Sequence, residues 1–174
     1  MILSQFPKTK TEKFNTTSSW KNPLIPSIQF INYCNNVGVS PLALSNKPIA
    51  AETICSLLEA ARWTASCYNE QPWHFIVPIQ ENPTQFNQLL SCLVEANQVW
   101  AKHAPVLMIA VAKLNFENEK NGNPNCHAIY DVGAAVCSLT IQVTSLGLFV
   151  HQIGGLEGLP RRENYTIFQR GMSQ

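Results

Sequence analysis

"LLEAARWTASCYNEQPWHFIV", Leu57 to Val77, is the stretch on which the fold turns. Its first part belongs to a helix. Between Ala50 and Trp63 the apolar residues Ile54, Leu57, Leu58 and Ala61 recur at the spacing of an amphipathic helix. Its last part, Trp73 to Val77, is a short apolar run stopped by Pro78 and reads as a buried strand. The loop between them holds Ser66, Cys67, Asn69 and Gln71. Asn and Gln each carry a carbonyl acceptor and an amide donor. Such residues commonly satisfy the backbone of a turn. They also suit a flat heterocycle with alternating donors and acceptors, and spacing alone leaves both readings open.

Working outward, "SPLALSNKPIAAET" (Ser40 to Thr53) reads as an extended arm, a turn and a helix start. After the first strand, "NPTQFNQLLSCLVEAN" opens with Asn82 as N-cap and Pro83 at the first helical position. Phe86, Leu89, Leu90, Leu93 and Val94 then form one apolar face. "APVLMIAVAK" is a second buried strand, and "NFENEKNGNPN" a polar loop. Cys126 to Leu146 reads as a long helix, apolar nearly all round, stopped by Gly147, and "LFVHQI" is a third strand. Alternation of this kind predicts a layered α/β or α+β domain, with a sheet covered on both faces. Residues 1–25 read as a disordered leader and residues 26–174 as one domain.

Composition narrows the function. A chain of 174 residues, 45% hydrophobic, can build a substantial core. The net charge of +1 gives no footprint for nucleic acid. Charged residues are 13% against a usual quarter, which favours an oligomer or an incomplete chain. The six cysteines form no C-x-x-C pair and read as reduced, small core residues of a cytoplasmic protein. His127 and Asp131 have metal-ligand spacing but lack further ligands, so a helix-surface contact is expected. The N-terminus has neither the apolar core of a secretory signal nor the arginines of a transit peptide. Val132 to Val150 is long enough to raise a membrane span. Its serines, threonines and Gln142, with no Lys or Arg between Lys120 and Arg161 to anchor it, point instead to a helix buried in a domain or dimer.

The motifs together resemble the nitroreductase family of FMN-dependent oxidoreductases. In that family a helix ends in Ala-Arg-Trp, and a Pro-Ser-Ser-x-Asn-x-Gln-Pro-Trp loop follows. The likeness continues through "LLSCLVEANQVWAKHAPVLMIAVAK" and "HAIYDVGAAVCSLTIQVTSLGLFVHQIGG", and spans roughly Ser40 to Leu156. It implies an α+β layered sandwich with a mostly antiparallel sheet and the long helix at a homodimer interface. It also implies FMN held at that interface, with electrons passing from NAD(P)H to a nitroaromatic, quinone or similar acceptor. By resemblance, Ser66, Cys67, Asn69 and Gln71 contribute flavin contacts, and Asn97 bonds the isoalloxazine. Gly154 and Gly155 supply bare backbone close to the ring, and Ser40 matches a serine of the family's basic arm. The chemistry belongs to the flavin, so no catalytic triad or metal is implied, and His74 and His151 are expected to pack beside strands.

Three departures stand out. The positions flanking Ser40 that are basic in the family are Gly38 and Leu42. Each lost charge-assisted contact to a phosphate is worth about 1.5–3 kcal/mol. In the loop, Ala65 replaces the usual Pro, and Cys67, a weaker donor, replaces the second Ser. After "HQIGGLEGL" the family pattern implies a further helix and strands with a basic segment. The residues to Gln174 do not match it, so the chain reads as truncated, with Arg161, Arg162 and Arg170 in a solvated tail.

Overall fold

The structure, a computed structural model, describes residues 1–4, 44–117, 122–154, 156 and 165–167. In chain order these form β1 (Ile2–Ser4), α1 (Ala51–Arg62), a short 3-10 turn (Cys67–Asn69), β2 (Trp73–Ile76), α2 (Pro83–Leu90) and α3 (Glu95–Ala101). Then come β3 (Val106–Leu107), β4 (Ile109–Lys113), α4 (Ala128–Ser145), β5 (Phe149–His151) and β6 (Tyr165–Ile167). The fold is α+β.

The run from Val106 to Lys113 is the spine. It is interrupted at Met108, whose N–H donates to the Met1 carbonyl at 2.8 Å while the Met1 amino group donates back to the Met108 carbonyl at 2.8 Å. Before the break β3 pairs with β1, and β1 pairs with β5. After it β4 lies between β2 and β6. The two strand sets are ordered β3-β1-β5 and β2-β4-β6, and every pairing is antiparallel.

Alternation along this spine explains why a continuously apolar strand is stable here. Val106, Met108 and Ala112 point into a cluster with Leu57 and Ala61 of α1 and Val132, Ala135, Leu139 and Val143 of α4. Leu107 and Ile109 point the other way, into a cluster with Phe86 and Leu89 of α2 and Ala101 of α3. Successive strand residues face opposite sides, so each face meets its own helix pair. The covering is incomplete at β2, where Trp73 is buried but Ile76 is 55% exposed.

Local chemistry sets the element ends. Asn82 Oδ1 accepts the Gln85 N–H at 3.4 Å, and Pro83 opens α2. Gly147, at φ +69°, ends α4 in a Schellman motif. The Leu148 N–H reaches the Val143 carbonyl at 3.0 Å and the Gly147 N–H reaches Thr144 at 2.9 Å. The polar residues of α4 are used within the domain. Thr64 Oγ1 donates to Ser138 Oγ at 2.8 Å, and Gln142 Nε2 to Ser56 Oγ at 3.0 Å. By length and composition α4 could cross a membrane. Its place between α1 and the sheet accounts for the same apolarity.

Five expectations change. The start of the presumed leader, Ile2–Ser4, is a strand, because β3 and β5 offer it backbone partners on both edges. The single helix expected from Asn82 is two, with Leu93 leaving the helix to bridge Leu156 and bury its side chain in the α2–α3 cluster. Tyr165–Ile167, in the stretch expected to be a solvated tail, adds a strand to β4. The cysteines described carry no disulfide, but none is core: Cys55, Cys126 and Cys137 are exposed. Asp131 is buried rather than on the helix surface, and His127 occupies the N-cap position of α4.

Candidate functional site

The loop after α1 is held in an unusual conformation. Ser66 is extended, and then Tyr68, Asn69 and Gln71 take φ values of 54°, 53° and 51°. Left-handed backbone costs an ordinary L-residue roughly 1–2 kcal/mol, and Asn less. The geometry is therefore over-determined by its bonds. The Asn69 N–H donates to the Ser66 carbonyl at 3.0 Å, and the Glu70 N–H to the Cys67 carbonyl at 3.1 Å. Ser66 Oγ accepts the Gln71 N–H at 2.9 Å. Gln71 Nε2 donates to Asn69 Oδ1 at 3.0 Å, so the two side-chain amides form one group.

Other elements fix this loop in place. The Cys67 N–H donates to Asp131 Oδ2 on α4 at 3.0 Å. The buried Glu70 carboxylate accepts the Glu117 N–H. The Tyr68 ring stands edge-on to Phe116 at 6.0 Å. The Lys113 N–H donates to the Pro72 carbonyl at 2.8 Å, which seats the loop's exit at the end of β4. On the helix side, Arg62 grips Glu59 with two nitrogens, and Trp63 Nε1 donates to Glu59 Oε1 at 2.8 Å. These donors, Arg62 foremost, hold the Glu59 carboxyl down from 4.5 to about 2. The cluster is solvent-exposed and adds little stability.

A second group forms around α3. Asn97 Nδ2 donates to the Gly154 carbonyl at 3.3 Å. Trp100 of α3 meets the ring of His151, on β5, at 4.6 Å. β1 is antiparallel to both β3 and β5, so β5 runs in the same sense as β3 and β4.

Ser66, Cys67, Asn69 and Gln71 thus come together, and Asn97 meets Gly154, while Ser40, Gly155, Gly38 and Leu42 lie outside the described residues. Asp131 and Glu70 were not anticipated. Asp131 carried a legible signal: helical spacing aligns it with Ala128, Ala135 and Leu139, all buried, and a carboxylate on a buried face requires a donor. Among the described residues, no group of three or more His, Cys, Asp or Glu could hold a metal ion.

The nitroreductase family model matches residues 42–162, most of the chain. The chain belongs to the nitroreductase family. The crystal structure of an oxidoreductase containing FMN is 27% identical, with a TM-score of 0.71 over 91% of this chain and 78% of that one. A nitroreductase family protein from Clostridium novyi NT is 16% identical, with a TM-score of 0.64 over 79% of each chain. An FMN-dependent nitroreductase from Clostridium difficile R20291 is 21% identical, with a TM-score of 0.54 over 67% of this chain. This nitroreductase-family chain spans 61% of the length of the Clostridium difficile protein. No curated protein matches it.

Proposed function

We propose that this chain is an FMN-dependent oxidoreductase that takes electrons from NAD(P)H and passes them to a nitroaromatic, quinone or similar acceptor. The observation that carries the reading is the Ser66–Gln71 loop. Its strained backbone and paired Asn69–Gln71 amides form a polar edge, and Asn97 bonds the Gly154 carbonyl in a second group. This donor set fits a flavin. The pairing engages Gln71 Nε2 and Asn69 Oδ1, and Asn69 Nδ2, a donor, and Gln71 Oε1, an acceptor, suit the polar edge of the pyrimidine ring.

FMN, when bound, supplies the hydride and electron chemistry. The protein's part is orientation. In this reading Asn69, Gln71 and Asn97 fix the ring's rotation, while Ser66 and Cys67 face its polar chain. The backbone at Gly154 and Gly155 approaches the ring where a side chain would obstruct it. Two copies of the chain complete the site across α4, on which Ile129, Tyr130 and Ile141 are exposed in the single chain. The free cysteines among the described residues accord with a cytoplasmic location.

The test is the visible spectrum of purified protein titrated with FMN, followed by NAD(P)H oxidation with a nitroaromatic or a quinone. Flavin absorbance shifted by the protein and acceptor-dependent NAD(P)H consumption are expected. A protein that leaves the FMN spectrum unchanged sinks the proposal.

A second reading has its own observation. Gly38 and Leu42 carry no charge where the family places cations. On that reading the fold persists as a dimerisation or binding module without flavin. The FMN titration separates the two, and the double variant Gly38→Arg/Leu42→Arg tests whether these positions face the phosphate. FMN affinity that rises identifies the phosphate site, and unchanged affinity shows that these positions do not face phosphate.

A further inference from the structure

We infer that Asp131 is the positioning residue of the loop, holding Ser66–Gln71 in its binding geometry before any ligand arrives. The inference rests on the flavin reading above for its functional consequence, though not for its structural content. Asp131 is 4% exposed and lies on α4, the helix most deeply embedded in the core. Its Oδ2 accepts the Cys67 N–H at 3.0 Å, joining residues far apart in the sequence. Cys67 is the residue just before Tyr68 and Asn69, both left-handed, and Gln71 follows two residues later.

Strained backbone of this kind persists only where surrounding structure over-determines it. Several of the loop's bonds are internal: Ser66 with Asn69 and Gln71, Cys67 with Glu70, and Gln71 with Asn69. Internal bonds shape a loop but do not place it. Asp131 and Glu70 do both, and they are two of the four buried polar or charged residues among the described residues. Glu70 reaches Glu117, whereas Asp131 sits on the rigid helix. A carboxylate acceptor on a helix packed into the core makes a well-aimed anchor. A loop already formed leaves less ordering to be done at binding, which raises affinity without adding a contact to the ligand.

The experiment compares wild type, Asp131→Ala, Asp131→Asn and Val143→Ala in the full chain. Val143 is a fully buried α4 residue outside the loop and serves as a matched destabilised control. In FMN-free protein, amide exchange at Cys67 should accelerate at least about tenfold in Asp131→Ala beyond any change in Val143→Ala, as expected for loss of a charge-assisted bond. FMN affinity by fluorescence quenching should fall about ten- to a hundredfold in Asp131→Ala. Asp131→Asn, which keeps a neutral acceptor, should lose less and shift both readouts in the same direction. If Asp131→Ala fails to fold, Asp131→Asn against Val143→Ala carries the comparison. Cys67 exchange equal to that of the control, or unchanged in Asp131→Asn, overturns the anchor. Wild-type protein that binds no FMN overturns the proposed function instead, and exchange at Cys67 then decides the anchor alone.

Discussion

Asn97 and Glu59 make bonds whose consequences differ from their appearance. The Asn97–Gly154 bond is exposed, and its loss should change stability by less than about 1 kcal/mol. Asn97→Ala should therefore leave the urea midpoint close to wild type while weakening FMN binding severalfold. A large stability loss with unchanged affinity would reassign Asn97 to the fold. Glu59 owes its low pKa to hydrogen bonds from Arg62 and Trp63. Because the folded value is depressed, its contribution is present above about 4.5 and is lost as pH falls toward about 2. Arg62→Ala should move the Glu59 midpoint, read by carboxyl NMR, back up toward 4.5. At this scale residue type was legible. The polar loop residues were visible as a group because a run of amides between a helix and a strand is chemically conspicuous. The left-handed backbone at Tyr68 and Gln71 was not, because neither residue type favours it, and bonds within the loop together with one from Asp131 on α4 accompany it.

The elements draw their stability from two sources that can be separated. α4 ends at Gly147 through backbone conformation, with open space where a Cβ would sit. Gly147→Ala should thus cost about 1–2 kcal/mol from the left-handed φ alone, seen as a lower melting temperature with an unchanged core. Leu139 is fully buried between α1 and the sheet. Leu139→Ala should cost about 2–5 kcal/mol through lost burial and a cavity. α1, the start of α2, β2 and the long α4 followed from apolar periodicity, Asn82, Pro83 and Gly147. The breaks did not. Leu93 continues the apolar pattern of α2 because its side chain is needed in the same cluster, although the backbone has already left the helix. Periodicity reports which side chains are buried, and it is silent on whether the turn carrying them remains helical.

At the scale of the whole molecule, α4 carries an open apolar stripe. Ile129 and Tyr130 are 48% and 79% exposed, and Ile141 38%, on the helix that also fills the core. The proposed dimer would cover them. Ile141→Lys should then shift the species seen by light scattering from twice the 19.4 kDa chain mass toward the single mass, with FMN affinity falling alongside. A wild-type protein that is monomeric while binding FMN would remove α4 from the site. The sequence by itself determined the layered α-and-β character of the fold, the polar residues of the loop and the identities of α1, β2 and α4, since periodicity, capping and loop composition are local and are written in neighbouring residues. Only the tertiary structure decided that Ile2–Ser4 is a strand, that Tyr165–Ile167 pairs with β4 and that Asp131 seats Cys67. Each of these depends on a partner far along the chain. The hydrogen-bonding capacity of a backbone or a carboxylate is the same wherever it stands, and only folding chooses which group will meet it.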